Sequence, residues 1–389
     1  MKTLVFTIDA GSGHKATAEG IIQCAPKEMK EGIVLVNPYR QVVSPFSKYA
    51  KKKQFVLSGL FSFITVRFGE NFYNFTLSRM RFNGLIQRIL DFSAKTLQTT
   101  QSNYMDKVFR EYLSFERPDL VICVTPAISV NLSKQATLLG IPILVVMTDL
   151  DEIYPDFWIP RTADYFCTFG QNAYKTSLGR DIKQSFLLSG PVLRPMFFQR
   201  DEPYSERLAK KLKLSPDKTT IIVFFGGFGS PKMLDIAQLL NAVQRPVQAI
   251  FLCGHTSHVQ DKINKINTSY PKLVFGFIKH VDRLMELGAI MIGKPGPGAV
   301  LEAIAKGNDV LLELNRSTMS QEVPIVEYAT ALGRGESYAN NSELLTLLNR
   351  KLETLPSTRH RRQSPFRSDL EITAILKKIE KEIKPRQRN

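Results

Sequence analysis

Two doubly wound α/β domains are the fold class that this 389-residue sequence predicts, and three observations predict it. Apolar, β-branched runs bounded by turn residues recur along the chain. Stretches of helical length separate most of them, which is the alternation expected of a parallel sheet covered on both faces. The pattern pauses once, at a proline-marked and charged connector, and then restarts. A chain of this length suits two domains of similar size, and a hydrophobic content of 43% supports globular packing.

In chain order, the first-half strands are read at "TLVFTI", "GIVLVNP", "PDLVICV", "IPILVVMT", "DYFCTF" and "FLLSGP". The connector is "PVLRPMFFQRDEPYSERLAKKLKLSPDK". The second set is "TTIIVFFGG", "QAIFLCG", "KLVFGFI", "GAIMIGKPG" and "DVLLEL". These runs set expected domains at 1–195 and 196–360. A basic tail at 361–389 follows, with a helix from Leu370 to Ile383 whose Leu370, Ile372, Ile375, Leu376, Ile379 and Ile383 mostly share a face. That face predicts docking on one of the domains without saying which.

A formal net charge of +16 predicts a surface that attracts polyanions: nucleic acid, anionic lipid headgroups or a phosphorylated small substrate. Cys24, Cys123, Cys167 and Cys253 show no C-x-x-C spacing and no accompanying histidine cluster, so reduced structural thiols of a cytosolic protein are expected, and no metal. The start lacks the apolar core of a signal peptide. The weakly polar stretch from Gln54 to Val66 is shorter than the roughly 20 residues needed to cross a bilayer. A soluble or membrane-surface protein is expected.

Three glycine-bearing turns carry the candidate chemistry. The first is "DAGSGHKATAEG", residues 9–20, directly behind the first strand. Glycines there let backbone N–H groups approach a phosphate at a helix N-terminus. A dinucleotide site fits poorly, because Asn37, Pro38 and Tyr39 stand where an acidic ribose ligand belongs, and no G-x-x-x-x-G-K-[ST] is present. His14 falls near the first helical turn, where the helix dipole disfavours its protonated form and keeps it available as a base. A turn histidine that only caps or packs is the competing account.

The second turn, "FFGGFGSPKM" at 224–233, places Gly226, Gly227 and Gly229 before Ser230 and a helix with Pro231 at its start. The third, "IGKPGPGAVLEAIAKG" at 292–307, runs from a strand into a helix whose N-terminal amides are free for a diphosphate. Glu302, about one turn beyond Gly298, shares that face and is a candidate ribose ligand. The alternative is a helix-surface glutamate.

Taken together, "GSGHKATAEG", "TDLDEIYPDFW", "GGFG", "GKPGPGAVLEA" and "SQEVP" resemble, in order, the nucleotide-sugar glycosyltransferases of family 28. The likeness spans nearly the whole chain and is greatest to the branch with monogalactosyldiacylglycerol synthase and processive diacylglycerol glucosyltransferase. It implies the GT-B arrangement, two Rossmann-like domains facing across a cleft, and an inverting transfer from a UDP-sugar without a cofactor. On the donor side it implies Phe277 and Ile278 near the uracil and Glu302 on the ribose. Gly227, Gly229, Ser230, Pro295, Gly296, Pro297 and Gly298 would surround the diphosphate, and Gln321 and Glu322 would meet sugar hydroxyls. A capping-box bond between Gln321 and Thr318 is a second use of that glutamine.

On the acceptor side the resemblance implies His14 as the base, Asp149 as its helper, and Gly11 and Gly13 as close-approach positions. Helix dipoles and Lys294 can offset charge on departing UDP, with a merely solvated Lys294 as the alternative. The chain departs from the pattern at Tyr154, where relatives place a histidine before the proline, and after Gln321–Glu322, where Val323–Pro324 follows at once. The first departure bears on the acceptor and the second on the choice of sugar.

Residues 46–92 interleave Phe and Tyr with Lys51, Lys52, Lys53, Arg67, Arg79, Arg81 and Arg88. That mixture suits an anionic membrane surface, with each basic residue contributing about 1 kcal/mol there. Packing of the aromatics between helices is the competing account. No recognised nucleic-acid module accompanies the segment. The expected protein is therefore a peripheral enzyme on the cytoplasmic face of a membrane, using diacylglycerol or a related lipid as acceptor. The alternatives are another small hydroxyl acceptor, or an inactive GT-B protein that binds UDP-sugar or membrane.

Overall fold

A computed structural model describes residues 1–8, 13–42, 105–150, 158–316, 318–319, 322–355 and 363–384. The described chain divides into two compact units. Residues up to Pro195 and those from Arg367 onward form the first, and Met196–Phe366 form the second. The aromatic segment 46–92 lies outside the described residues, as do Gly11, Tyr154 and Gln321.

In the first unit, β1 (Thr3–Phe6), β2 (Ile33–Val36), β3 (Leu120–Cys123), β4 (Ile143–Val146), β5 (Thr162–Thr168) and β6 (Asp181–Leu187) form one parallel sheet, ordered β2-β1-β3-β4-β5-β6. Strands β1, β3 and β4 are buried at every position. Burial on both faces is why they read as unbroken apolar runs. The edge strand β6 is mostly half-buried or exposed, and accordingly mixes Asp181, Lys183 and Gln184 with its apolar residues. Phe6 anchors the core beneath, meeting Phe109 and Tyr112 of the helical residues 105–116 edge-on at 6.1 and 6.0 Å.

The second unit repeats the plan with β7 (Thr219–Phe224), β8 (Val247–Leu252), β9 (Lys272–Phe275), β10 (Ile290–Gly293), β11 (Asp309–Glu313) and β12 (Gly335–Tyr338), ordered β12-β11-β10-β7-β8-β9. Its first and fourth strands, β7 and β10, lie side by side, with Ile221 opposite Ile290 and Val223 opposite Ile292. Connections leave this pair toward opposite edges. In open parallel sheets such a switch point is where a ligand crevice forms, beyond the carboxyl ends of the strands. The first sheet has its switch point between β1 and β3.

A buried ionic cluster ties the connector to the second unit. Lys306 Nζ lies 3.0 Å from Glu286 Oε2 and donates to the Gln199 carbonyl at 2.6 Å. The other Glu286 oxygen accepts from Ser205 Oγ at 2.6 Å and from the Asp201 N–H at 3.2 Å. Those hydrogen bonds and Lys306 together outweigh burial and lower the Glu286 pKa.

The C-terminal helix, Ser368–Ile383, docks on the first unit. Ser368 Oγ donates to the Pro191 carbonyl at 2.5 Å, Thr373 Oγ1 to the Cys24 carbonyl at 2.9 Å, and Tyr165 donates to Glu382 at 2.5 Å. Its Ile372, Ile375, Leu376, Ile379 and Ile383 are buried as expected, whereas Leu370 is 66% exposed. Two residues on a helix span roughly 200°, which puts Leu370 opposite Ile372. All four cysteines are buried and free. Burial pushes the Cys24 and Cys253 thiols up to about 11 and that of Cys123 to about 12, which keeps them protonated.

Candidate functional site

In the first unit, the helix Gly13–Cys24 begins just after β1, at the switch point, with His14 in its first turn. The ends of two neighbouring strands reach that ring. Thr148, past the end of β4, sets its Oγ1 2.9 Å from His14 Nδ1, and the backbone carbonyl of Val124, past β3, accepts a hydrogen bond from the imidazole. A carbonyl only accepts, so the nitrogen facing it carries the proton and the other holds the lone pair. Trp158, fully buried, lies against the ring at 5.9 Å between centroids.

Burial lowers the His14 pKa from 6.5, and it outweighs the opposing pull of the Asp149 charge and the Val124 bond. The ring is therefore neutral at pH 7. The sequence-based reason for a low pKa was the helix dipole; the dominant cause here is desolvation. Asp149 stands close enough to act on the imidazole electrostatically. Gly13 is exposed, and a Cβ built on it meets no described atom within 4 Å.

In the second unit the two glycine turns start from the adjacent strands β7 and β10. Gly293 permits this closeness, since a Cβ there would stand 2.2 Å from the Phe224 carbonyl oxygen. Two kinds of glycine are present in the turns. Gly226 and Gly229 have φ of +81° and +60°, and a Cβ on Gly229 would lie 2.5 Å from the Cys253 carbonyl oxygen. The chain itself demands glycine at these positions. Gly227 and Gly298 have no positive φ, and a Cβ on either meets no described atom within 4 Å. Neither backbone conformation nor a described neighbour requires glycine at these two positions.

Gly298 follows Pro297 at the start of the helix Pro297–Ala305, with Gly296 at the N-cap in extended conformation and no side chain capping it. The first amides of that helix are thus left for an acceptor from outside. Ser230 Oγ accepts from the Lys232 N–H at 3.3 Å, ahead of the helix Lys232–Leu239. Glu302 is only 8% exposed, which removes the alternative of a solvated helix-surface glutamate.

Lys294, between the end of β10 and Pro295, has a side chain that is 32% exposed. Its Nζ lies 3.0 Å from Glu322 Oε1. Glu322 precedes the helix Val323–Ala331 without capping it. The Thr318 hydroxyl accepts from the Asn315 N–H at 3.0 Å and donates to the Glu313 carbonyl at 3.3 Å.

Beyond β9, Phe277 is 61% exposed and Ile278 half-buried. Phe277 stacks flat on His255, with 4.2 Å between centroids and 16° between planes, and Phe228 lies 6.0 Å from the same imidazole. The residues around His255 grip the β7 turn: the His255 N–H donates to the Gly227 carbonyl at 2.9 Å, and Thr256 Oγ1 donates to the Phe228 carbonyl. His255, Thr148 and Val124 escaped the sequence reading. The glycine in "FLCGH" was the only available signal for His255, and none pointed to the other two.

Among known proteins, residues 43–188 match the family model described as monogalactosyldiacylglycerol (MGDG) synthase. A processive diacylglycerol beta-glucosyltransferase from Bacillus pumilus is 25% identical over 323 residues, covering 80% of this chain and 76% of its own. Monogalactosyldiacylglycerol synthase 1 of Arabidopsis thaliana is 24% identical over 358 residues, covering 88% of this chain and 63% of the plant protein. The chain is thus similar to the glycosyltransferase branch that its motifs resemble.

Among solved structures, Acinetobacter baumannii MurG is similar with a TM-score of 0.57 at 14% identity, over 97% of this chain and all of MurG. Anabaena HepE in complex with UDP-glucose gives 0.52 at 13%, over 99% and 100%. A UDP-GlcNAc 2-epimerase from Neisseria meningitidis gives 0.53 at 12%, over 98% and 100%. At these identities the likeness shows the fold, a GT-B-type α/β chain of two units, which enzymes of different activities share.

Proposed function

We propose that the protein is an inverting glycosyltransferase that moves a hexose from a UDP-sugar to diacylglycerol or a related lipid at a membrane surface. The observation that carries this assignment is the pair of glycines, Gly227 and Gly298, at the switch point of the second sheet, where a Cβ would meet none of the described residues within 4 Å. A diphosphate bound there would meet the amides of Gly298 and Ala299 and the Lys294 ammonium, with the ribose toward Glu302 and the uracil toward Phe277 and Ile278. Glu322, with Gln321, would accept from sugar hydroxyls.

In the first unit, neutral His14 takes the proton from the acceptor hydroxyl as the oxygen attacks the anomeric carbon. The bond from that carbon to the diphosphate oxygen breaks, UDP leaves, and a single displacement inverts the centre. Asp149 stabilises the imidazolium that forms. Lys294 and the helix amides offset the charge gathering on the leaving diphosphate. The lipid acceptor is supported by the similarity to proteins named as diacylglycerol and MGDG enzymes. Among the described residues no helix is long and apolar enough to cross a membrane.

The test is transfer of labelled hexose from UDP-glucose or UDP-galactose to diacylglycerol in vesicles containing anionic lipid. Label in the lipid fraction with either donor is the expected result. Folded protein that binds UDP but labels no diacylglycerol removes that acceptor, and a screen of other hydroxyl lipids with the same donors then decides between a different acceptor and a protein that only binds nucleotide.

A further inference from the structure

The ion pair between Lys294 and Glu322 sits where the proposed donor diphosphate must go. The Lys294 Cε lies 3.5 Å from the Cβ position of Gly296 and 3.8 Å from that of Gly226, so the lysine stem bridges the two glycine turns. Glu322 Oε1 is itself 3.7 Å from the Gly296 Cβ position. The carboxylate side chain is 7% exposed and the ammonium side chain 32%. One partner is thus sealed in and the other reachable from outside.

We infer that Glu322 and Lys294 form an exchangeable pair through which the second unit distinguishes an intact nucleotide-sugar from spent nucleoside diphosphate. This rests on the donor site proposed above. A diphosphate entering over the turns draws the ammonium to itself, because a diphosphate offers more negative charge and more acceptor oxygens than one carboxylate. Glu322 then loses its cation while remaining buried, and a buried charge without a partner is strongly unfavourable.

The two ligands resolve that state differently. An intact UDP-hexose carries hydroxyls beyond its diphosphate, and an O–H donor can take the place of the ammonium on Glu322. Bare UDP brings no such donor. Its terminal phosphate instead carries extra negative charge near neutral pH, since a second phosphate proton is lost at about pH 6, and places it toward the freed carboxylate. The exchange holds the donor and ejects the product.

Calorimetric titration of the full chain with UDP, UDP-glucose and UDP-galactose tests this in the native protein, Glu322→Gln, Glu322→Ala, Lys294→Met and the Glu322→Gln/Lys294→Met double variant. Both Glu322 variants are expected to bind UDP about tenfold more tightly than native protein, and neither UDP-hexose more tightly, so that the preference for intact donor falls by at least that factor. Lys294→Met is expected to weaken all ligands and, in the double variant, to remove most of the gain on UDP.

Glu322 variants that keep the native ratio of UDP to UDP-hexose affinity, or weaken both alike, overturn the exchange while leaving the donor site intact. Native protein that binds none of the three overturns the donor site as well. Two independent substitutions at Glu322 keep the test available if one fails to fold.

Discussion

The two half-sites are made by opposite means. In the first unit, His14 is wedged by the chain's own groups: Thr148, Val124 and Trp158 reach it from strand ends and loops, and burial holds its pKa down. In the second, the turns at β7 and β10 are defined by side chains that are missing, with Gly227 and Gly298 opening space that no described neighbour fills. A packed titratable group declares its chemistry through what surrounds it. A glycine turn declares its ligand only after the glycines needed for backbone geometry, Gly226 and Gly229, have been set aside. The contrast predicts different failures on the two sides: lost chemistry with intact binding in the first, lost binding with an intact fold in the second.

The largest effect expected is on the first side. His14→Ala removes the base, and general-base catalysis is worth about 10²–10⁴-fold, so turnover should fall by that order. The UDP dissociation constant should stay within about twofold, because the imidazole is absent from the donor turns. Transfer of labelled hexose and calorimetry measure the two quantities. Tight coupling of both losses in this one variant would break the division between the half-sites.

Next in size is a pair of glycine substitutions in the second unit. Gly298→Val puts a branched side chain where the diphosphate is expected. Displacing one charge-assisted hydrogen bond, about 1.5–3 kcal/mol, should weaken UDP about tenfold to a hundredfold at unchanged melting temperature. Gly229→Ala, by contrast, forces a Cβ into the left-handed region and against the Cys253 carbonyl. It should destabilise the unit by about 1–3 kcal/mol and lower the melting temperature by roughly 2–10 °C. Thermal melts of the two variants separate ligand space from backbone need; equal destabilisation would mean that Gly298 is also structural.

The acid limb of the pH profile gives a subtler reading of the first half-site. Because burial lowers the His14 pKa from 6.5, the acid limb of kcat/KM should lie below that value and fall about tenfold per pH unit. The Asp149 charge raises this pKa, so Asp149→Asn should move the limb to still lower pH. Movement in the opposite direction would assign the limb to another group.

Much of the architecture was legible because strands buried on both faces leave continuous apolar runs. The runs around Leu4, Val121, Leu144, Ile222 and Phe251 each became a central strand. The glycine turns were legible too, since tight strand-to-helix turns through positive φ, as at Gly226 and Gly229, require glycine. The pairing of strand ends was not. Thr148 reaches His14 across 134 residues of sequence, and Lys294 reaches Glu322 across 28, contacts that strand order creates and that no local pattern encodes. The C-terminal helix shows the same limit. Its isoleucines announced a buried face, but only the bonds of Ser368 to Pro191 and Thr373 to Cys24 say against what.

The smallest expected effect is at Thr148, and it separates holding a histidine from using it. Thr148→Val keeps the shape of the side chain and removes the oxygen 2.9 Å from Nδ1. The Val124 carbonyl still orients one ring N–H, and burial still lowers the pKa, so the imidazole remains a neutral base with one restraint fewer. A neutral hydrogen bond is worth about 0.5–1.5 kcal/mol, which caps the loss in kcat at roughly tenfold. KM for the UDP-sugar should not change, because Thr148 belongs to the unit without the donor turns. A loss as large as that of His14→Ala would instead make the threonine hydroxyl part of the proton path, with the acceptor's proton passing through Oγ1 to Nδ1.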